Sequence, residues 1–132
     1  MKAKLVIGAR VLLGLIFFVF GLNFFLHFIP QPPPTGPAGA FAGAMFATGY
    51  LFVVLKVVET VSGALLIAGR FVPLVLAVLA PIVINIFLFH GFLAPAGIPL
   101  AIVVLALELF LAWSYRSVYR PMLAARAAPD TR

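Results

Sequence analysis

Residues 49–93, GYLFVVLKVVETVSGALLIAGRFVPLVLAVLAPIVINIFLFHGFL, hold two long apolar stretches, Gly49 to Gly69 and Phe71 to Leu93, separated by the single cation Arg70. Each is close to the roughly 20 residues that carry a helix across a bilayer core. A break as short as Gly69-Arg70 makes the two helices antiparallel neighbours. Two further stretches of the same kind flank this hairpin, Leu5 to Ile29 before it and Ile98 to Trp113 after it. With 65% hydrophobic and 9% charged residues in a chain of 132, there are too few polar side chains to cover a water-facing globule. The solvent is lipid, and the expected fold class is all-α: a membrane-embedded, left-handed antiparallel four-helix bundle in up-down-up-down order.

The expected transmembrane domain is residues 1–122, with spans at about 5–29, 49–69, 71–93 and 98–117, followed by a flexible cytoplasmic tail at 123–132. The segment Pro30-Gln31-Pro32-Pro33-Pro34 is stiff and extended, because each proline fixes its own φ and keeps the preceding residue out of the helical region. Ala38 to Ala47 carries Phe41, Met45 and Phe46 among small residues and reads as a short interfacial or re-entrant helix on the outer side. Pro81 falls inside span three, where it removes a backbone hydrogen bond and is expected to kink the helix. Trp113, Tyr115 and Tyr119 beside Arg116 and Arg120 mark a membrane surface.

A formal net charge of +6 would suggest nucleic acid in a soluble domain, but the positions of the cations give it another meaning. Lys2, Lys4, Arg10, Arg70, Arg116, Arg120, Arg126 and Arg132 lie at or beyond one set of span ends, whereas the opposite connections, Pro30 to Thr48 and Ala94 to Pro99, carry none. This positive-inside pattern places both termini and the Arg70 turn in the cytoplasm and leaves no expectation of a nucleic-acid partner. A cleaved signal peptide is rejected, since the first apolar run is too long and contains Arg10. The chain has no cysteine, hence no disulfide and no thiol redox pair, so any electron chemistry needs a cofactor or a partner.

The informative residues are the polar ones at membrane depth, where each charge costs about 2.5–3.5 kcal/mol to insert and must be paired or solvated. Arg10 lies about one turn deep, Glu59 and Glu108 near mid-depth, and Lys56 and Asn85 slightly further toward the outer side. Lys56 and Glu59, three apart on one helix, can meet directly, and Arg10 can reach toward Glu59 or Glu108. The expectation is a buried charge network of Arg10, Lys56, Glu59 and Glu108 linking spans one, two and four, with Asn85 nearby. A second, outer-side polar cluster is expected from Asn23 and His27, four apart on span one, and His90 at similar depth on span three.

Two readings of the charges carry about equal weight. In one they only lock the helices in register, as polar glue in a lipid-facing scaffold. In the other, Glu59 or Glu108 exchanges protons in a pocket suited to a quinone headgroup or a similar polar-tipped lipid, or relays them in a small proton-coupled carrier hinged at Pro81. Haem between two unspaced histidines is disfavoured, and neither a metal-ligand spacing nor a phosphate loop is present. The expected partners are the lipid bilayer, a quinone or lipidic small molecule, and a second membrane protein or another copy of the chain.

Arg10 with Leu13-Gly14-Leu15 and Gly21, Glu59 with Ser62-Gly63 and Gly69, then Phe71-Val72-Pro73 and His90 in that order resemble the DoxX family of small membrane proteins. The resemblance runs from about Leu5 to Met122. It implies a four-helix inner-membrane protein whose relatives are known as subunits of thiosulfate:quinone oxidoreductase or as partners in oxidative-stress and quinone-tolerance systems. It singles out Arg10, Glu59 and His90 as important, without a catalytic role for any of them. It therefore points to an accessory or ligand-binding subunit rather than to an enzyme acting alone. Without cysteine, a redox role runs through bound quinone or a partner subunit.

Overall fold

The computed structural model describes residues 2–130; Met1, and Thr131 and Arg132 of the expected tail, lie outside the described residues. Six α-helices follow one another: α1 Lys2–Leu26, α2 Gly36–Ala47, α3 Leu51–Ala68, α4 Val72–Phe92, α5 Ile98–Ser114 and the single turn α6 Arg116–Tyr119. Short 3₁₀ turns at Pro95–Gly97 and Pro121–Leu123 complete the regular structure of the described residues. Four of the helical segments are long and apolar enough to cross a bilayer: Lys2–Leu26, Leu51–Ala68, Val72–Phe92 and Pro95–Ser114. Their outer faces carry Leu12, Val53, Val57, Val61, Val78, Ile84, Leu88, Ile102 and Leu109, all exposed, as lipid as the surrounding solvent requires.

Each spanning helix packs on the next in sequence, α1 on α3, α3 on α4, α4 on α5, and α5 closes the ring on α1. The α1–α3 contact is the most extensive, and its cause is visible in three glycines. A Cβ built on Gly63 would lie 2.5 Å from the Phe18 nitrogen and 2.6 Å from the Gly14 carbonyl oxygen. One on Gly14 would lie 2.8 Å from the Gly63 carbonyl, and one on Gly21 would collide with Thr60. Backbones approach this closely only where side chains are missing, which is how helices associate when lipid supplies no hydrophobic drive.

Helix ends depart from the sequence expectation for identifiable reasons. Helix α1 stops at Leu26 rather than Ile29, because His27 turns into the left-handed region (φ 52). Asn23, buried one turn back, holds that turn: its Oδ1 accepts from the Ile29 N–H at 2.7 Å and its Nδ2 donates to the Ile29 carbonyl at 3.0 Å. Helix α3 ends at Gly69 (φ 74), after which the Arg70 N–H donates to the Leu65 carbonyl at 3.0 Å, reversing the chain within the hairpin. Helix α4 runs as one element through Pro81. The last span breaks at Tyr115, and α6 is pinned by the Tyr119 hydroxyl, which donates to the Pro73 carbonyl at 2.5 Å.

The apolar core occupies one half of the bundle. Leu13, Phe17, Leu66, Val72, Val75, Leu76, Leu79, Val83, Val104 and Leu111 form a single buried cluster. Most of these residues lie toward the end that carries Lys2, Lys4, Arg70 and Arg116, called here the basic end. Toward the opposite, loop end the helices part, and α2 lies across the gap.

Candidate functional site

The polar residues at membrane depth sort by the direction in which a helix aims its side chains. Every Cα–Cβ bond leans toward the helix N-terminus, so in an antiparallel bundle the residues of alternate helices lean opposite ways. Lys56 and Glu59 lean toward the loop end on α3. Arg10 on α1 leans toward the basic end, where its guanidinium rests against Gly69, with Nε enclosed and without a hydrogen-bond partner. Gly69 lies ten residues beyond Glu59 along α3, about 15 Å of helix.

The expected four-residue network therefore does not form. The observed ion pair is local: Lys56 Nζ sits 3.2 Å from Glu59 Oε2 within α3. It is an ionic contact without hydrogen-bond alignment, so Oε2 has no bonded donor. Glu108 is buried on α5 with Oε1 enclosed and unpartnered, near enough to Tyr119 to affect that phenol. Burial first, then the Glu108 charge and Tyr115, raise the Tyr119 pKa above its ordinary 10.0.

The loop-end half holds a cavity of about 520 Å³. Its walls come from Ile16, Phe17 and Phe20 of α1, Leu51, Phe52 and Leu55 of α3, Pro81, Ile82, Ile86 and Phe89 of α4, and Ala101 and Val104 of α5, while Phe41, Ala42 and Met45 of α2 roof it. Into this apolar chamber come Lys56, Glu59, Asn85, His90 and Gln31. The cavity thus joins residues that the sequence assigns to two separate clusters. Asn85 and His90, five positions apart on α4, line the same space even though the helix is not interrupted at Pro81.

His90 donates from Nδ1 to the Ile86 carbonyl at 2.8 Å, which leaves Nε2 as an acceptor when the ring is neutral; the ring edge packs on Gly97. Lys56 Nζ also lies 5.5 Å from the Phe52 ring centroid, a cation–π contact that holds the ammonium at the chamber wall.

The outer-side cluster is divided. Asn23 is committed to holding the loop after α1, and His27 is exposed and lines a neighbouring cleft of about 570 Å³ together with Asn23, while His90 faces the main cavity. Gln31, which lines both spaces and accepts from Asn23 Nδ2 at 3.4 Å, carries no sequence signal. Only the fold-back of the proline segment brings it there.

The DoxX family model matches residues 5–91. The chain belongs to the DoxX family. The DoxX match runs from Leu5 in the first turn of α1 through α2 and α3 to Gly91 near the end of α4, so it takes in Arg10, Lys56, Glu59, Asn85 and His90; Glu108 lies beyond it. No curated protein and no solved structure matches the chain.

Proposed function

We propose that this DoxX protein is a noncatalytic, accessory membrane subunit of a quinone-linked redox or oxidative-stress system, and that it holds a quinone-type headgroup in the loop-end cavity. One observation carries the reading: the Lys56–Glu59 pair stands on a cavity wall, with Asn85 and His90 facing the same space, instead of filling the core. A chamber of about 520 Å³ is in the range of small-molecule sites, and apolar walls with a few placed polar groups are their usual make-up. A quinone ring is planar and apolar and bears two carbonyl acceptors. Lys56 and the Asn85 amide supply donors, Phe20, Ile82 and Ile86 supply apolar wall for the ring, and Glu59 beside Lys56 is a group able to exchange a proton.

The basic residues at the end shared by both termini support a cytoplasmic location for that end in a bacterial inner membrane, by the positive-inside rule.

Ubiquinone and menaquinone analogues added to the purified protein in nanodiscs are expected to bind saturably and to stabilise it, by about 2.7 kcal/mol at a hundredfold excess over Kd. Lys56→Met is expected to weaken binding about tenfold, the loss of roughly one charge-assisted hydrogen bond. No saturable binding by either analogue would refute the quinone reading.

A further inference from the structure

The cavity and the neighbouring cleft share a wall. Phe20, Gln31, Ala42, Phe52 and Lys56 belong to the walls of both, so the two spaces adjoin beneath α2 with the Lys56 side chain between them. Their openings differ. Pro81 and Asn85 are at once wall of the main cavity and outer surface of α4, and Leu51 is the same on α3. Leu100 of α5 is likewise both wall and outer surface, and among the gaps between neighbouring helices that between α3 and α4 is the most loosely packed, which makes it the lipid-facing mouth assigned below. Asn85 lies seven residues from the end of α4 and Pro81 eleven, about 10 and 17 Å below the loop end. Both depths fall within a hydrocarbon core about 30 Å thick, so this mouth faces acyl chains.

The cleft is bordered instead by exposed His27 and by Ile29, Gln31, Pro33 and Pro34 of the connecting loop, at the level of the membrane surface. Lys56 is five residues into α3, about 8 Å below that surface, and its side chain keeps 20% of its area exposed.

We propose that the two spaces form one passage with Lys56 at the junction: an amphiphile exchanges with the bilayer through the α3–α4 mouth, and water and protons reach the Lys56–Glu59 pair from the loop end beside His27. The occupant this implies has a hydrogen-bond-accepting head at Lys56 and an apolar tail leaving past Pro81 and Asn85. The occupant rests on the quinone reading; the passage rests on geometry alone.

The absence of cysteine makes the passage directly testable, since each introduced thiol is the sole reactive site. Single-cysteine variants in nanodiscs would be treated with a charged, membrane-impermeant maleimide and with a lipid-soluble one. Gly43 lines the cleft with open space around it, so Gly43→Cys is sterically free. Buried Ser62 supplies the conservative control Ser62→Cys. Gly43→Cys and Lys56→Cys are expected to react with the charged reagent at least about tenfold faster than Ser62→Cys, and Asn85→Cys only with the lipid-soluble one. Adding Gly43→Trp is expected to slow charged labelling of Lys56→Cys about tenfold and leave Asn85→Cys unchanged.

Lys56→Cys as inert as Ser62→Cys toward the charged reagent would overturn the passage, as would charged labelling of Asn85→Cys at the Gly43→Cys rate. A long-chain quinone analogue is expected to protect Asn85→Cys and not Gly43→Cys. The expected labelling without that protection would sink the quinone occupant and leave the passage standing.

Discussion

Replacing Gly63 with alanine tests the account of how this bundle holds together. The new Cβ would stand 2.5 Å from the Phe18 nitrogen, 2.6 Å from the Gly14 carbonyl oxygen and 2.9 Å from the Phe18 Cα, all backbone atoms that cannot rotate away. Ordinary contact begins at 3.4 Å, so α1 and α3 must separate by roughly 0.9 Å. A gap of that size forfeits about a quarter to a half of each dispersion contact along the seam. Overpacking of this kind costs about 1–3 kcal/mol. Against this stands the gain of about 0.5–1 kcal/mol from removing a glycine from a helix interior. The net expectation is a loss of about 0–2.5 kcal/mol, which places Gly63→Ala about 1–3 kcal/mol below a glycine-to-alanine change that meets no neighbour.

Gly43→Ala is the matched control, because a Cβ there meets nothing within 4 Å and only the helix gain remains. Reversible unfolding in mixed micelles, read by circular dichroism, gives both values on one scale. If Gly63→Ala proves as stable as Gly43→Ala, the α1–α3 seam is not set by backbone contact and the packing argument fails.

Three other substitutions probe the polar framework. Lys56→Met leaves Glu59 buried without its cation and is expected to destabilise the protein by about 3 kcal/mol, with much of the loss recovered in Lys56→Met/Glu59→Gln; a double variant no better than the single would contradict a pairwise role. Asn23→Ala removes both bonds to the Ile29 backbone, which is expected to cost about 1–3 kcal/mol and to speed proteolysis between Phe28 and Pro34, a result that equal cleavage rates would exclude. Tyr119 binds its proton more tightly folded than unfolded, so its contribution is fully present below pH 10 and falls as pH rises through the higher folded value. Tyr119→Phe should therefore flatten the alkaline end of the stability profile, and an unchanged slope above pH 10 would count against that contribution.

How legible the molecule was in its sequence depends on the range of the interaction concerned. The four spans, the hairpin at Arg70 and the short helix α2 were readable because hydrocarbon demands apolar residues over a fixed length, and Gly69 and the prolines punctuate the backbone locally. The Lys56–Glu59 pair was readable for the same reason, since a spacing of three on one helix leaves little to chance. The wider charge network was not. From one turn deep, Arg10 had to reach inward to meet the carboxylates, but the opposed lean of antiparallel side chains sends it to Gly69 and leaves Glu108 without an ion-pair partner among the described residues.

Composition and the placement of cations were enough, with no coordinates, to make this a lipid-embedded helical protein with a few ionisable groups turned inward. Which of those groups share a space was decided in three dimensions. The glycine seam draws α1 onto α3, the apolar core closes the basic half, and the helices part beneath α2, so that Lys56, Glu59, Asn85 and His90 meet around one cavity. Local chemistry fixes where a helix begins and which residues it carries; the packing of one helix on another, a property of no single segment, fixes what they face.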